Sequence, residues 1–290
     1  VDIFEVVTDT TIANPITGDR YVAPVGDDVN NNCTQPDQPC ATIGYAVNQA
    51  AWGDTIFVAQ GIYNEVDILI NQNINLRGGY SYGGGSFTRP GGVIDPTLTV
   101  IDAQNAGRGL RVNVASVYRP LIEGFTIQNG FTSGDGGAIS VQASSAPTLT
   151  HLLLRDSSAR QGGGIYIAGG ASVIQNVGIT NTTATDRGGG IYVNGGSPVV
   201  QDTAITGTTA VDGAGVYLAA GSSTLEALRV TGCAASGDGG GVYHAGGMVT
   251  LTRSRIGNNS AQAGGGVYQL SGDLDLWNTF VYSNTASTGA

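Results

Sequence analysis

Gly162-Gly163-Gly164-Ile165-Tyr166 is followed by Gly188-Gly189-Gly190-Ile191-Tyr192, Gly213-Ala214-Gly215-Val216-Tyr217, Gly239-Gly240-Gly241-Val242-Tyr243 and Gly264-Gly265-Gly266-Val267-Tyr268. One short pattern thus returns every 25 or 26 residues, and Gly136-Gly137-Ala138-Ile139 opens the series without the tyrosine. So tight a spacing means that one structural unit is stacked on itself. Between the motifs lie apolar-alternating stretches, such as Ser172 to Ile179, Ser197 to Ile205, Ser223 to Val230 and Asp273 to Val281, each of which reads as strand. A small polar slot and then alanine follow: Thr182-Thr183-Ala184, Thr208-Thr209-Ala210, Cys233-Ala234-Ala235, Asn259-Ser260-Ala261 and Asn284-Thr285-Ala286.

A unit of this length is too short for a helical hairpin, and its Gly, Thr, Ser and Asn content opposes helix, glycine costing ~1 kcal/mol against alanine. Two or three short strands with tight corners per period specify an all-β solenoid, the coils of a parallel β-helix. Each coil pairs with its neighbours at ~4.8 Å and piles Ile, Val, Leu and Ala side chains into inward ladders. The triple glycines suit corners that need positive φ or close backbone approach. Thr182, Thr208, Asn259 and Asn284 are expected to form a polar ladder between coils, with Cys233 a small filler in the same slot.

Charged residues make up only 12% of the 290, Gly numbers 47, and the net charge is −10. The basic residues are all Arg, with no Lys. Acidity argues against nucleic acid or an anionic membrane as partner, and no apolar run is long enough to insert into a bilayer. The first residue, Val1, is consistent with a removed signal peptide.

Three parts are expected. Residues 1–20 form an N-terminal strand or arm, in which Val1-Asp2-Ile3-Phe4-Glu5-Val6-Val7 alternates and Ile3, Phe4 and Val6 are candidate docking residues. Residues 21–53 hold Cys33 and Cys40, whose spacing suits a local disulfide in an oxidising compartment, two unpaired thiols being the alternative. Ile43, Ala46, Val47, Ala50 and Ala51 follow at helical spacing over Ala41 to Trp52, a short helix able to cap the first coil. Residues 54–290 form the coils, with a loop insertion at about 78–96. About nine coils make a rod roughly 40 Å long at ~4.8 Å each.

Two segments resemble known families. Tyr21-Val22-Ala23, the Cys33 to Cys40 loop, the helix and Gly53-Asp54-Thr55-Ile56-Phe57-Val58-Ala59-Gln60-Gly61-Ile62-Tyr63 are similar to the N-terminal cap and first coil of right-handed parallel β-helix proteins of the pectate-lyase-like fold. The glycine motif resembles the Gly-Gly-Ala-Ile repeat of chlamydial polymorphic outer-membrane proteins, which Gly136 to Ile139 matches letter for letter. The companion Phe-x-x-Asn of those proteins is not repeated; Ile256-Gly257-Asn258-Asn259 and Val281-Tyr282-Ser283-Asn284 come nearest. The resemblance implies the fold and a bacterial surface setting, while fold alone does not assign function.

Many right-handed β-helices cleave polysaccharide, which is the alternative function. Polygalacturonases of this kind resemble one another in Asn-x-Asp, Asp-Asp, Gly-His-Gly and Arg-x-Lys motifs. Here the adjacent Asp pair is Asp27-Asp28 in the cap loop, and Gly-His-Gly and Lys are missing. An inverting carboxylate pair would come from Asp212 and Asp238, which share a corner slot in consecutive periods. Their column reads Asp135, Gln161, Arg187, Asp212, Asp238, Ala263, with Arg160 and Asp186 in the neighbouring one, a pattern of interleaved surface charge. His151 and His244 carry no metal-ligand spacing, and Asp28 to Asn32 begins like a calcium loop but lacks its glycine and closing Glu. No catalytic residue, metal or cofactor is assigned.

Tyr166, Tyr192, Tyr217, Tyr243 and Tyr268 each follow the motif aliphatic, so alternation sends them outward as a column able to stack on glycan rings or a neighbouring molecule. Ala286-Ser287-Thr288-Gly289-Ala290 repeats the run-up to a further motif, which suggests that the chain continues or that another subunit covers the last coil. The expectation is a secreted or cell-surface protein, structural or adhesive and without catalysis, associating head to tail into a filament or layer or binding a glycan or cell-surface ligand.

Overall fold

The computed structural model describes residues 18–115, 117–143 and 145–288. The arm residues Ile3, Phe4 and Val6 lie outside them. The described chain winds as parallel strands into a solenoid with three faces. One face carries a sheet of eight strands, Ile68–Ile70, Leu110–Val112, Ile139–Val141, Ile165–Ile167, Ile191–Val193, Val216–Leu218, Val242–His244 and Val267–Gln269. A second carries six strands from Ser158–Gln161 to Thr285–Ala286, and the third, 17-stranded sheet takes up to two strand segments per coil. Eight rungs on the first face correct the expected nine coils, since the first turns are lengthened by the cap and an insertion; about seven turns separate the rungs.

On the eight-stranded face register is kept without slip: Ile165 pairs with Ile191, Ile191 with Val216 and Val216 with Val242. Inward side chains therefore meet their own kind on each neighbouring coil. Ile122, Leu149, Ile174, Val200 and Leu225 are each 0% exposed and lie in one such file. At ~25 cal/mol per Å² of apolar surface removed from water, burial in these files is the main favourable term in folding.

The corners have a rule of their own. His151, Asn176, Asp202, Ala227, Arg253 and Asn278 stand in one column, all with φ between 48° and 53°. A second column holds Asn129, Asp156, Asn181, Gly207, Gly232, Asn258 and Ser283, again left-handed. Asn and Asp tolerate this region because a short polar side chain bonds locally, so they share with glycine the work of turning the coil.

The helix, α1 (Ile43–Gln49), is shorter than the expected 41–52, because Ala50 already has extended backbone. Ile43, Ala46 and Val47 join the core of the first coil. Asp28 accepts hydrogen bonds from the backbone of Ala41 and Thr42, and Glu65 accepts from Ile43 and Gly44. The acid at the head of the calcium-like segment thus anchors the start of the helix. Cys33 and Cys40 form a disulfide beside it. The insertion after Gly78 is a β-hairpin rather than a loop: Asn75–Gly83 pairs antiparallel with Ser86–Thr88, and Phe87 packs on Tyr21 with ring centroids 5.0 Å apart.

Candidate functional site

Alternation on the eight-stranded face puts Ile165, Ile191, Val216 and Val242 in the core and turns the tyrosines after them to the opposite side of the sheet. Because the sheet is in register, Tyr166, Tyr192, Tyr217, Tyr243 and Tyr268 stack along the rod, with centroids 5.5, 5.2, 4.6 and 4.9 Å apart in turn. The first three pairs lie within 16° of parallel. The axial repeat of ~4.8 Å imposes the spacing, and aromatic pairs add about 0.5–1.5 kcal/mol each beyond their burial.

The glycine at the head of each motif makes room for this column. A Cβ built on Gly188 or Gly239 would fall 2.7 Å from the Cβ of Tyr192 or Tyr243, and both glycines have positive φ. Ala219 and Ala245 close the other side. Tyr192, Tyr217 and Tyr243 consequently keep only 4%, 6% and 8% exposure. The expected open stripe is corrected to a packed spine: it faces outward, but its inner ring faces are covered by one another. None of its hydroxyls is a buried polar atom without a partner.

Burial pushes the phenols of Tyr166, Tyr192 and Tyr243 above the usual value and that of Tyr217 up to about 12, with Arg187 opposing the rise at Tyr192 and Tyr217. The neutral phenols are favoured by folding, so their contribution to stability is complete below pH ~10 and is lost as pH climbs towards 12. An alkaline titration followed by phenolate absorbance is expected to show a late group of tyrosines ionising together with loss of β circular dichroism. Ionisation of every tyrosine at the ordinary value, with the fold intact, contradicts the packed spine.

Beside the spine runs the charged corner column. Arg160 pairs with Asp135 at 2.9 Å, and Arg187 lies 3.7 Å from Asp186 and 3.9 Å from Asp212. Asp212 Oδ1 accepts from the Asp238 backbone N–H at 3.0 Å, and Asp238 Oδ1 accepts from Ala263 at 3.1 Å. Each carboxylate of the candidate catalytic pair is therefore held by the backbone of the next coil.

The small polar slots form the expected ladder inside the coils. Thr208 Oγ1 donates to Ala214 O and to Cys233 Sγ, Asn259 Oδ1 accepts from Cys233 N, and Asn284 Oδ1 accepts from Asn259 N and Nδ2. Cys233 is buried, and burial pushes its thiol up against the hydrogen bond from Thr208. His244 occupies the inward file of Leu218 and Gln269, fully buried, with Nε2 3.0 Å from Gly246 O. His151 turns a left-handed corner. Among the described residues no group of three or more His, Cys, Asp or Glu side chains is placed to hold a metal ion, and no helix is long and apolar enough to cross a membrane.

A family model described as a right-handed beta helix region matches residues 108–286, more than half of the chain. The chain belongs to the right-handed β-helix family. The match spans every tyrosine of the spine and each member of the polar ladder, so both are features of the β-helix proper rather than of its cap. It carries the coil and not the likeness to chlamydial surface repeats. No curated protein matches this β-helix.

Proposed function

We propose that this β-helix is a structural or adhesive rod of a secreted or cell-surface protein, working without catalysis. The observation that carries the reading is the use made of its polar side chains. Asp212, Asp238, Thr208, Asn259 and Asn284 all direct hydrogen bonds along the rod axis to a neighbouring coil. Groups bound in this way stiffen a solenoid, and the stacked tyrosines add a second axial brace. The Cys33–Cys40 disulfide supports an oxidising, extracellular setting.

The apolar files run through to the last described coil. Leu276 and Val281 hold the files of Leu251 and Ile256 yet are 47% and 48% exposed. Self-association through Ile3, Phe4 and Val6 belongs to the same proposal. Tyr166 and Tyr268, the half-buried ends of the tyrosine spine, are the part of it offered to a glycan or other cell-surface ligand.

Negative-stain electron microscopy of native material tests the rod, with fibres or layers repeating at about the rod length as the expected picture. Deletion of residues 1–8 is expected to abolish the polymers, and polymers that persist remove the docking arm. Release of new reducing or unsaturated sugar ends from a panel of acidic and neutral polysaccharides would overturn the non-catalytic reading.

A further inference from the structure

A cleft of about 510 Å³ opens between the Cys33–Cys40 loop and the hairpin made by Asn75–Gly83 and Ser86–Thr88. A cleft of that size holds a small organic ligand. Both walls lie ahead of residue 108, where the family match begins, and the hairpin is an excursion from the coil rather than a part of its path.

Both walls are held in place. On the loop side, Asn31 Nδ2 donates to Asp27 O, Gln38 O and Pro39 O while its Oδ1 accepts from Cys33 N, and the disulfide closes the loop behind it. On the hairpin side, a run of rings leads from the sheet to the cleft: Phe57 meets Tyr21 at 5.7 Å, Tyr21 meets Phe87 at 5.0 Å and Phe87 meets Tyr82 at 4.9 Å. The turn of the hairpin closes on the loop, a Cβ on Gly85 falling 3.0 Å from the Cβ of Asp37. Tyr82 is thereby carried to the cleft and stands half-buried in its wall.

Asp27, Asn30, Gln35, Asp37 and Gln38 line the cleft with Tyr82, and no Arg or His is among the lining residues. Among the described residues the side chains of Asn30, Gln35, Asp37 and Gln38 make no hydrogen bond, and Asp27 uses only Oδ1, which accepts from Val29 N. Carboxylates accept and amides both accept and donate, so a ligand that answers them carries several groups able to do both. Hydroxyls meet that requirement. Two carboxylates without a cation turn an anionic ligand away, and the Tyr82 ring offers an aromatic surface to an apolar one.

We propose that this cleft binds an uncharged sugar, its hydroxyls on Asp37, Gln38 and the neighbouring amides and its C–H face against Tyr82. The inference rests on the adhesive reading and gives it a ligand class and a place, at the cap and away from the tyrosine spine. Preformed walls limit the ordering that binding costs. The calcium-like segment also finds a use: Asp28 and Asn31 hold the backbone of the cap, while Asp27 and Asn30 are left to the cleft.

The test is an array of oligosaccharides of glucose, galactose and mannose, with the corresponding uronates, probed with the full chain and followed by calorimetric titration of the best binder. Saturable binding of an uncharged oligosaccharide is expected, its uronate counterpart binding about fivefold more weakly. Tyr82→Ala is expected to weaken binding about tenfold and Asp37→Ala about fivefold. Asp37 is exposed, so its substitution reads the cleft without disturbing the fold. Uronates that bind equally well, or an affinity unaltered by both substitutions, would overturn the cleft. Binding lost with Tyr166→Ser and kept by Tyr82→Ala and Asp37→Ala puts the sugar on the spine, so that the cleft falls and the adhesive reading stands. An array without a binder removes the cleft and glycan adhesion together, and electron microscopy still reads the rod.

Discussion

Gly189→Ala is expected to cost about 3 kcal/mol, the upper part of the range for overpacking, while Gly195→Ala stays within about 0.5 kcal/mol of the parent protein. A Cβ on Gly189 would collide with two carbonyl oxygens of the next coil, 2.6 Å from Ala214 O and nearer still to Thr209 O. Neither oxygen is free to retreat. Ala214 O accepts from Gly190 N at 3.0 Å, and both carbonyls belong to a backbone locked in register with its neighbours. At Gly195 a Cβ meets nothing within 4 Å, and the residue is not among those with positive φ. Alanine there also restricts the unfolded chain, which favours the folded state by a few tenths of a kcal/mol. Urea unfolding of the two variants side by side is the measurement, and equal midpoints would contradict a close-packed corner.

Asn259→Ala is the second large loss, of about 2–4 kcal/mol from unpaired buried groups and a small cavity. Asn259 is 1% exposed; its Oδ1 accepts from Cys233 N at 2.9 Å, and its Nδ2 donates to Val230 O at 3.1 Å and to Asn284 Oδ1 at 3.0 Å. Alanine strands the Cys233 N–H and the Val230 carbonyl, with nothing in the coil to replace the amide. Asn259→Thr restores the hydroxyl found at Thr208, where Oγ1 donates to Ala214 O, so about half of the loss is expected to return. Thermal unfolding that ranks alanine and threonine as equal would show that the ladder fills space without binding the coils.

Most of the coil could be read in the sequence because a solenoid repeats its contacts as well as its residues. The motif spacing gave the inward files, and the slots from Thr182 to Asn284 were recognisable as a ladder, since each is small, polar and followed by the same alanine column. The corners at Asn129, Asp156, Asn181 and Asn258 are not legible as a column. Their signal, Asn or Asp at the coil spacing, is broken by Gly207 and Gly232, and in the companion column by Ala227 and Arg253. The insertion hid its hairpin for another reason: its stability comes from Tyr21 and Phe87, which are far apart in the chain. The tyrosine column was legible in direction and illegible in exposure. Alternation says which side of a sheet a residue takes, but only packing shows that Gly188, Ala219 and the neighbouring rings leave Tyr192 almost no open surface.

Hydrogen bonds between coils all point along the rod, and this decides how the molecule responds to force. A pull at its two ends loads the coils in series, so they detach one after another instead of shearing together. Each coil that opens carries 25 or 26 residues and pays out about 80 Å of extended chain in exchange for one ~4.8 Å step of rod. A rod built in this way lengthens many times over as its coils open in turn, absorbing work at each step. Because each inward file continues from coil to coil, a coil can rewind onto the one before it when the load is released.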